Sequence, residues 1–365
     1  MTDVTPPPTP TTFRREAVAP KFVTGSILRH ILVMTGAGAI GLMAIFVGDL
    51  ANIYFLSLGG NQAVVAAVGY ASSILFFSTS IGIGLSIAAM ALVSPALGAG
   101  LRARARRLSV HSHILTFVVS ATLSIVLWFC VGWLLTLIGA TGETHRLATV
   151  YLMILLPTLP MLALGMTSMS VLRSVGDARR AMNVTLYGAI VNTVLDAVLI
   201  LYLDWGILGA AIASVIARLA VMAIGFYGVI HVHDLMGRPK MATLNADAPE
   251  FAKIAVPAVL TNIATPAGNA YVTMALAAFG DGAVAGWAII GRIIPVAFGA
   301  IYALSGSVGP ILGQNFGARK AERMREVYTQ SLLVMTVFTA VAWVALAIFA
   351  DALAGAFKAD GDARE

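Results

Sequence analysis

The chain holds one cysteine, Cys130, so it can build neither a disulfide framework nor a cysteine cluster for a metal. Charge is nearly as scarce: Asp, Glu, Lys and Arg make up 11% of the residues, against about a quarter in ordinary soluble domains. That supply is too small to cover a soluble globule of 365 residues with charge. No P-loop, no His-Glu-x-x-His pair and no paired-aspartate motif for Mg²⁺-diphosphate is present. The six histidines fall at the ends of apolar runs or in loops. His111 with His113 and His231 with His233 are spaced i, i+2, which does not share a helical face. No enzyme chemistry and no cofactor is expected, and without a nucleotide motif any transport would draw on an ion gradient. No apolar signal-peptide core precedes residue 27, so the first long run is expected to direct insertion itself.

What fills the chain is apolar sequence, 59% of residues, with a mean hydropathy of +0.90. Apolar runs of about 20 residues cross a bilayer as helices. Nine such spans are predicted, at 27–58, 63–98, 113–138, 146–172, 182–203, 206–231, 251–279, 283–314 and 327–351. Basic residues cluster in alternate connections. Arg14, Arg15, Lys21 and Arg29 precede span one, and "RARARR" at 102–107 follows span two. Arg173, Arg179 and Arg180 follow span four, Arg238 and Lys240 span six, and Arg319, Lys320, Arg323 and Arg325 span eight. The opposite connections carry only Arg146. The positive-inside rule then places the N-terminus in the cytoplasm, and the net charge of +6 reports topology rather than nucleic-acid binding.

A repeat organises the spans. "LGAGLRARARR" at 97–107 returns as "FGARKAERMRE" at 316–326, and "AVVAAVGYA" at 63–71 returns as "AVAGWAIIGR" at 283–292. The offset of about 220 residues makes spans seven to nine copies of spans one to three, in the same membrane orientation. The expected organisation is a disordered tail (1–24), an N-lobe of six spans (25–231), a cytoplasmic linker (232–250) and a partial C-lobe (251–365). Nine helices would thus stand where the symmetry implies twelve.

The order of "GSILRHILVM", "LSLGGNQAVVAAVG", "ALGAGLRARARRL", the run from Val150 to Leu201, "GILGAAIASVIA" and "GPILGQNFGARKAERMR" resembles the multidrug and toxic compound extrusion (MATE) transporters, with features of their DinF-like branch. The likeness covers residues 25 to about 358 and has the family's chain end three helices early. It implies an all-α membrane bundle of two parallel-repeat lobes. It also implies an antiporter of the bacterial inner membrane that exports small amphipathic, cationic compounds in exchange for H⁺ or Na⁺. Such a protein acts as a monomer whose partners are its substrate and membrane lipid. Transferred by position, the ion-coupling groups are Asn192 and Asp196 of the fifth span, Tyr151 of the fourth and Ser214 of the sixth. In the first span the family usually has an acid where Asn52 stands here, and Asp49 lies one turn earlier on the same face. Two other readings stand beside this one: a lipid-linked oligosaccharide flippase of a related branch, and an inactive truncated scaffold.

The residues support the transfer independently. A charged acid at mid-bilayer costs about 2.5 to 3.5 kcal/mol on insertion scales and marks a functional site by default. Asp196 sits in "NTVLDAVLI" with Asn192 four residues before it, on one helical face. It can load and release a proton as its exposure changes, or join Asn192 in an oxygen shell for Na⁺. Arg218 and Arg292 fall inside spans, where they can snorkel, pair with an acid or meet an anionic substrate group. Met166 and Met169 offer an adaptable cavity wall, with plain packing as the alternative.

Overall fold

A computed structural model describes residues 20–58, 62–279 and 281–356. Among them are eleven α-helices and no strand. They are α1 (Ile27–Leu58), α2 (Gln62–Gly98), α3 (Arg102–Leu137), α4 (Gly142–Leu155), α5 (Leu159–Val175), α6 (Ala178–Asp196), α7 (Gly206–Tyr227), α8 (Met241–Ala277), α9 (Asp281–Ala297), α10 (Gly299–Gly317) and α11 (Ala321–Ala356). Seven helical segments are long and apolar enough to cross a membrane: α1, α2, α3, α4 with α5, α6, α7 and α11. The protein is a helical membrane bundle, because in lipid a helix satisfies its backbone polar groups within itself.

Several boundaries differ from the sequence reading, each for a local reason. Span four is interrupted by a 3₁₀ turn at Leu156–Thr158, where Pro157 lacks the N–H a continuous helix needs. Span eight divides at Phe298, just after Pro295, into α9 and α10. The expected linker is helical from Met241, so α8 enters the bundle as one rod. The end of the expected tail is structured: Phe22 is 1% exposed, and its N–H donates to Gln314 Oε1 at 2.9 Å. Residues 1–19 lie outside the described ones.

The run "RARARR" forms the start of α3 instead of a loop, and it clasps the segment joining the lobes. Arg102 donates to the His233 carbonyl (2.6 Å) and Arg106 to that of Met236 (3.2 Å). Arg106 also pairs with Asp234 (3.0 Å), Arg107 with Asp247 (3.0 Å) and, more loosely, Arg104 with Glu250 (3.8 Å). His111 and His113 are buried inside α3, not at its end. As their i, i+2 spacing implies, they face different neighbours: His111 meets Asp247 of α8 at 2.6 Å, and His113 meets Ser168 of α5 at 2.9 Å. Nearby, Asp177 caps α6. Burial pushes its carboxyl up, but hydrogen bonds from His233 (2.8 Å) and Arg180 (2.6 Å) outweigh burial and hold it below the usual carboxylate range.

The two lobes meet in a pseudo-twofold arrangement that matches the repeat. α1 lies on α10 with Gly38 against Ala303, and reciprocally α8 lies on α2 with Val259 against Gly84. On the axis α2 crosses α10, where Met90 faces Gly309 and Ser94 faces Gly313. At the end carrying the basic clusters, the backbone of Gly98 rests on the Gln314 carbonyl, and that of Gly317 rests on the Pro95 carbonyl. A Cβ at either glycine would collide with main chain, so the lobes close here only because both residues are glycine.

Candidate functional site

α1 and α6 run side by side in the same direction, and small residues set their register. Gly41 packs on Thr185 and Gly48 on Thr193. One turn further, Asn52 arrives at Asp196. Asn52 Nδ2 donates to Asp196 Oδ2 at 2.8 Å, and Asn192 Nδ2 donates to the same oxygen at 2.6 Å. Asp196 is 0% exposed, and its other oxygen, Oδ1, has no hydrogen-bond partner. From Ala197 to Tyr202 the helix widens into a π-helical turn, a distortion frequent at functional sites.

The remaining candidates gather around this acid to different degrees. Tyr151 of α4 is buried, with Ser214 of α7 beside its hydroxyl and Asp196, Asp49 and Arg218 within electrostatic reach. Asp49 is exposed and lies one turn before Asn52 on α1. Arg218, expected at a substrate cavity, has a different office. Its Nη1 donates to the Leu155 carbonyl and to Thr158 Oγ1, both at 2.8 Å, and so staples the break between α4 and α5. Met169 is packed in a core cluster with Val93 and Leu172. Met166 lines a cavity of about 10 Å³ with Ser78, Gly82 and Ser120, room for about one water and no organic substrate. Arg292 falls in α9, and its side chain lies outside the described residues.

One group was overlooked in the sequence. Arg173 lies beyond the predicted end of span four, yet α5 runs through Val175, and the Arg173 guanidinium folds back along the helix to Met169 Sδ at 3.6 Å. The signal was available: Gly176 with Asp177 stops a helix and caps the next, which puts Arg173 inside the span.

Within this bundle, residues 27–198 and 257–365 match the MatE family model. The chain is 30% identical over 344 residues to a protein of Shewanella oneidensis named FAD transporter, covering 93% of this chain and 76% of that one. It is 23% identical over 341 residues to the multidrug export protein MepA of Staphylococcus saprophyticus, covering 93% and 75%. A crystal structure of a Vibrio cholerae MATE transporter superposes with a TM-score of 0.88 at 25% identity, over 93% of this chain and 77% of that one. A MOP superfamily transporter of Pyrococcus furiosus shares the fold, with a TM-score of 0.86 at 21% identity, over 95% and 77%.

Proposed function

Because the chain belongs to the MatE family of membrane transporters, we propose that it exports small organic solutes in exchange for protons taken up at Asp196. The supporting observation is the lopsided environment of that carboxylate. Both amides donate to Oδ2, which steadies a negative charge, while Oδ1 stands buried with no partner and can take the proton. With both amides turned to donate, the arrangement suits a proton on Asp196; Na⁺ would require each amide to rotate its oxygen inward. Asn52 belongs to α1, the helix that also lies on α10 of the other lobe, so breaking its bond to Asp196 can be coupled to lobe movement.

In the cycle, solute binds between the lobes from the cytoplasm and the lobes rock to face outward. Protonation of Asp196 then loosens the α1–α6 contact and favours release. Two cargo classes are in play. The likeness to multidrug exporters suggests amphipathic cations. The Shewanella relative, 30% identical across nearly the whole chain, favours an anionic dinucleotide of the FAD type. Purified protein in vesicles with an imposed pH or Na⁺ gradient tests the coupling. Accumulation of solute driven by a pH gradient, and lost in Asp196→Asn, is the expected result. Accumulation driven by Na⁺ alone would replace the proton.

A further inference from the structure

The geometry points to Arg173 as an anion-binding point between the lobes, one that receives a phosphate or carboxylate group of the cargo. This rests on the transport reading above. An arginine in the last turn of a membrane helix ordinarily snorkels toward water at the near surface. Arg173 does the opposite. Its side chain turns back along α5 to Met169, away from the basic end, and Nη1 packs beside Gly306 of α10, where a Cβ would come within 2.6 Å of it. Gly306 lies one turn beyond the Met90–Gly309 crossing and about 16 Å along α10 from the Gly317 seal, on the far side of the closed end. The cation thus stands between α5 of one lobe and α10 of the other.

The guanidinium has little protein to bind. Among the described residues no carboxylate lies within ion-pair distance of it, and its one hydrogen bond goes to a thioether, a weak acceptor. Arg218, the other arginine of the N-lobe interior, is by contrast satisfied by a carbonyl and a hydroxyl. The unpartnered nitrogens of Arg173 keep some accessible surface, unlike Asp196 Oδ1. A planar donor fork held free in a site of low dielectric suits bidentate capture of phosphate or carboxylate. Gly306 makes the room, and rocking of α10 against α5 would change how the anion is held.

Flavin mononucleotide and riboflavin test this, since they share a fluorescent ring and differ by one phosphate; ethidium serves as the cationic control. Binding is measured on the full chain in phosphatidylcholine nanodiscs without a gradient, so coupling does not enter. The wild type should bind the mononucleotide at least tenfold more tightly than riboflavin. Arg173→Gln should erase that preference, Arg173→Lys should restore part of it, and Gly306→Ala should weaken it by displacing the guanidinium. Equal binding of the two flavins by the wild type would overturn the assignment. So would a preference that survives Arg173→Gln, or an equal loss of all three probes, which marks a structural arginine. Displacement of the mononucleotide by added phosphatidylglycerol would transfer the arginine to a lipid headgroup and likewise overturn the cargo reading. If the preference holds while no gradient drives uptake, the proton reading fails and the anion point stands.

Discussion

The two lobes share a backbone plan and differ in what their polar side chains do. Within the N-lobe several of these groups reach across helices, Asn52 to Asp196, His113 to Ser168, Ser94 to Ser174, Ser124 to the Leu156 carbonyl and Arg218 to the broken turn, beside hydroxyls such as Ser78 and Thr122 that bond their own helix. Outside the basic end, where Asp247, Glu250 and Arg323 reach other segments, the hydroxyls and amides of α8 and α11 turn back on their own helix. Thr261 bonds the Pro257 carbonyl, Asn262 that of Ala258, Thr273 that of Asn269 and Thr339 that of Met335. The C-lobe bonds to the N-lobe mainly at the closed end, through Gln314 and Asn315. A hydroxyl or amide satisfied by its own helix specifies no neighbour, so it cannot relay a change from one helix to the next. If Asp196 is the coupling site as proposed, the N-lobe carries the chemistry and the C-lobe is the surface it works against.

The strongest way to break this comparison is to remove the chemistry from each lobe in turn. Asp196→Asn keeps the shape and cannot take up a proton as a carboxylate does, so pH-driven uptake in vesicles should fall to the level of protein-free vesicles. Asn262→Ala in α8 should leave uptake within about twofold of wild type, since it frees a carbonyl bond within one helix. Equal damage from the two would mean that the lobes share the coupling.

Next in size is the seal, where the lobes are alike. Gly98→Leu and Gly317→Leu should each cut transport more than tenfold, because either side chain meets a main-chain carbonyl of the other lobe. Cross-linking between cysteines placed at Met90 and Gly309 should drop in both variants. An effect from one glycine alone would show that the twofold relation does not govern closure.

Finer resolution within the N-lobe comes from the amides. Asn52→Ala and Asn192→Ala each remove one donor to Asp196, a loss of about 1 to 3 kcal/mol, and should weaken coupling by roughly tenfold or more. Asp49→Asn should cost less, because the hydrogen bonds to Asp196 come from Asn52 and Asn192 and not from Asp49. A larger loss in Asp49→Asn than in Asn52→Ala would move the coupling site toward α1.

The clasp between the lobes should matter for stability before transport. Asp247→Asn leaves Arg107 and His111 without their anion and should lower the melting temperature in detergent, with uptake still measurable. A melting temperature equal to wild type would show that the clasp does not hold α8 on α3. The smallest effect is at Asp177, whose folded carboxyl is held below its unfolded value of about 3.9. Its contribution is full above that pH and is lost as the pH falls toward the lower folded value. Asp177→Ala should cost about 1 kcal/mol as a lost helix cap and flatten the acid side of the stability profile. An unchanged acid limb would assign that slope to other groups.

Much of this was legible along the chain because it depends on short-range periodicity. Asn192 and Asp196 are four residues apart, so any helix places them on one face. The repeat of "GLRARARR" in "GARKAERMR" announced two related lobes before any contact was known. Asn52 entered only through family likeness, since no local pattern ties residue 52 to residue 196. The arginines of 102–107 read correctly as a basic cluster beside a membrane, but their partners lie more than a hundred residues away in the 233–250 segment.

Composition and spacing by themselves determined that this protein is a bundle of membrane-crossing helices with an internal repeat and a buried acid in one span. Those properties follow from apolar length, charge scarcity and helical period, which each segment carries alone. Which groups meet was decided by the tertiary structure. Glycines at 41, 48, 98 and 317 matter only because another backbone arrives against them. Arg218 and Arg173 are alike as arginines within spans, yet one is satisfied by a broken helix and the other is left free beside Gly306. The physical reason is that a donor's role depends on the acceptor opposite it, and here those acceptors stand on helices far away in the chain.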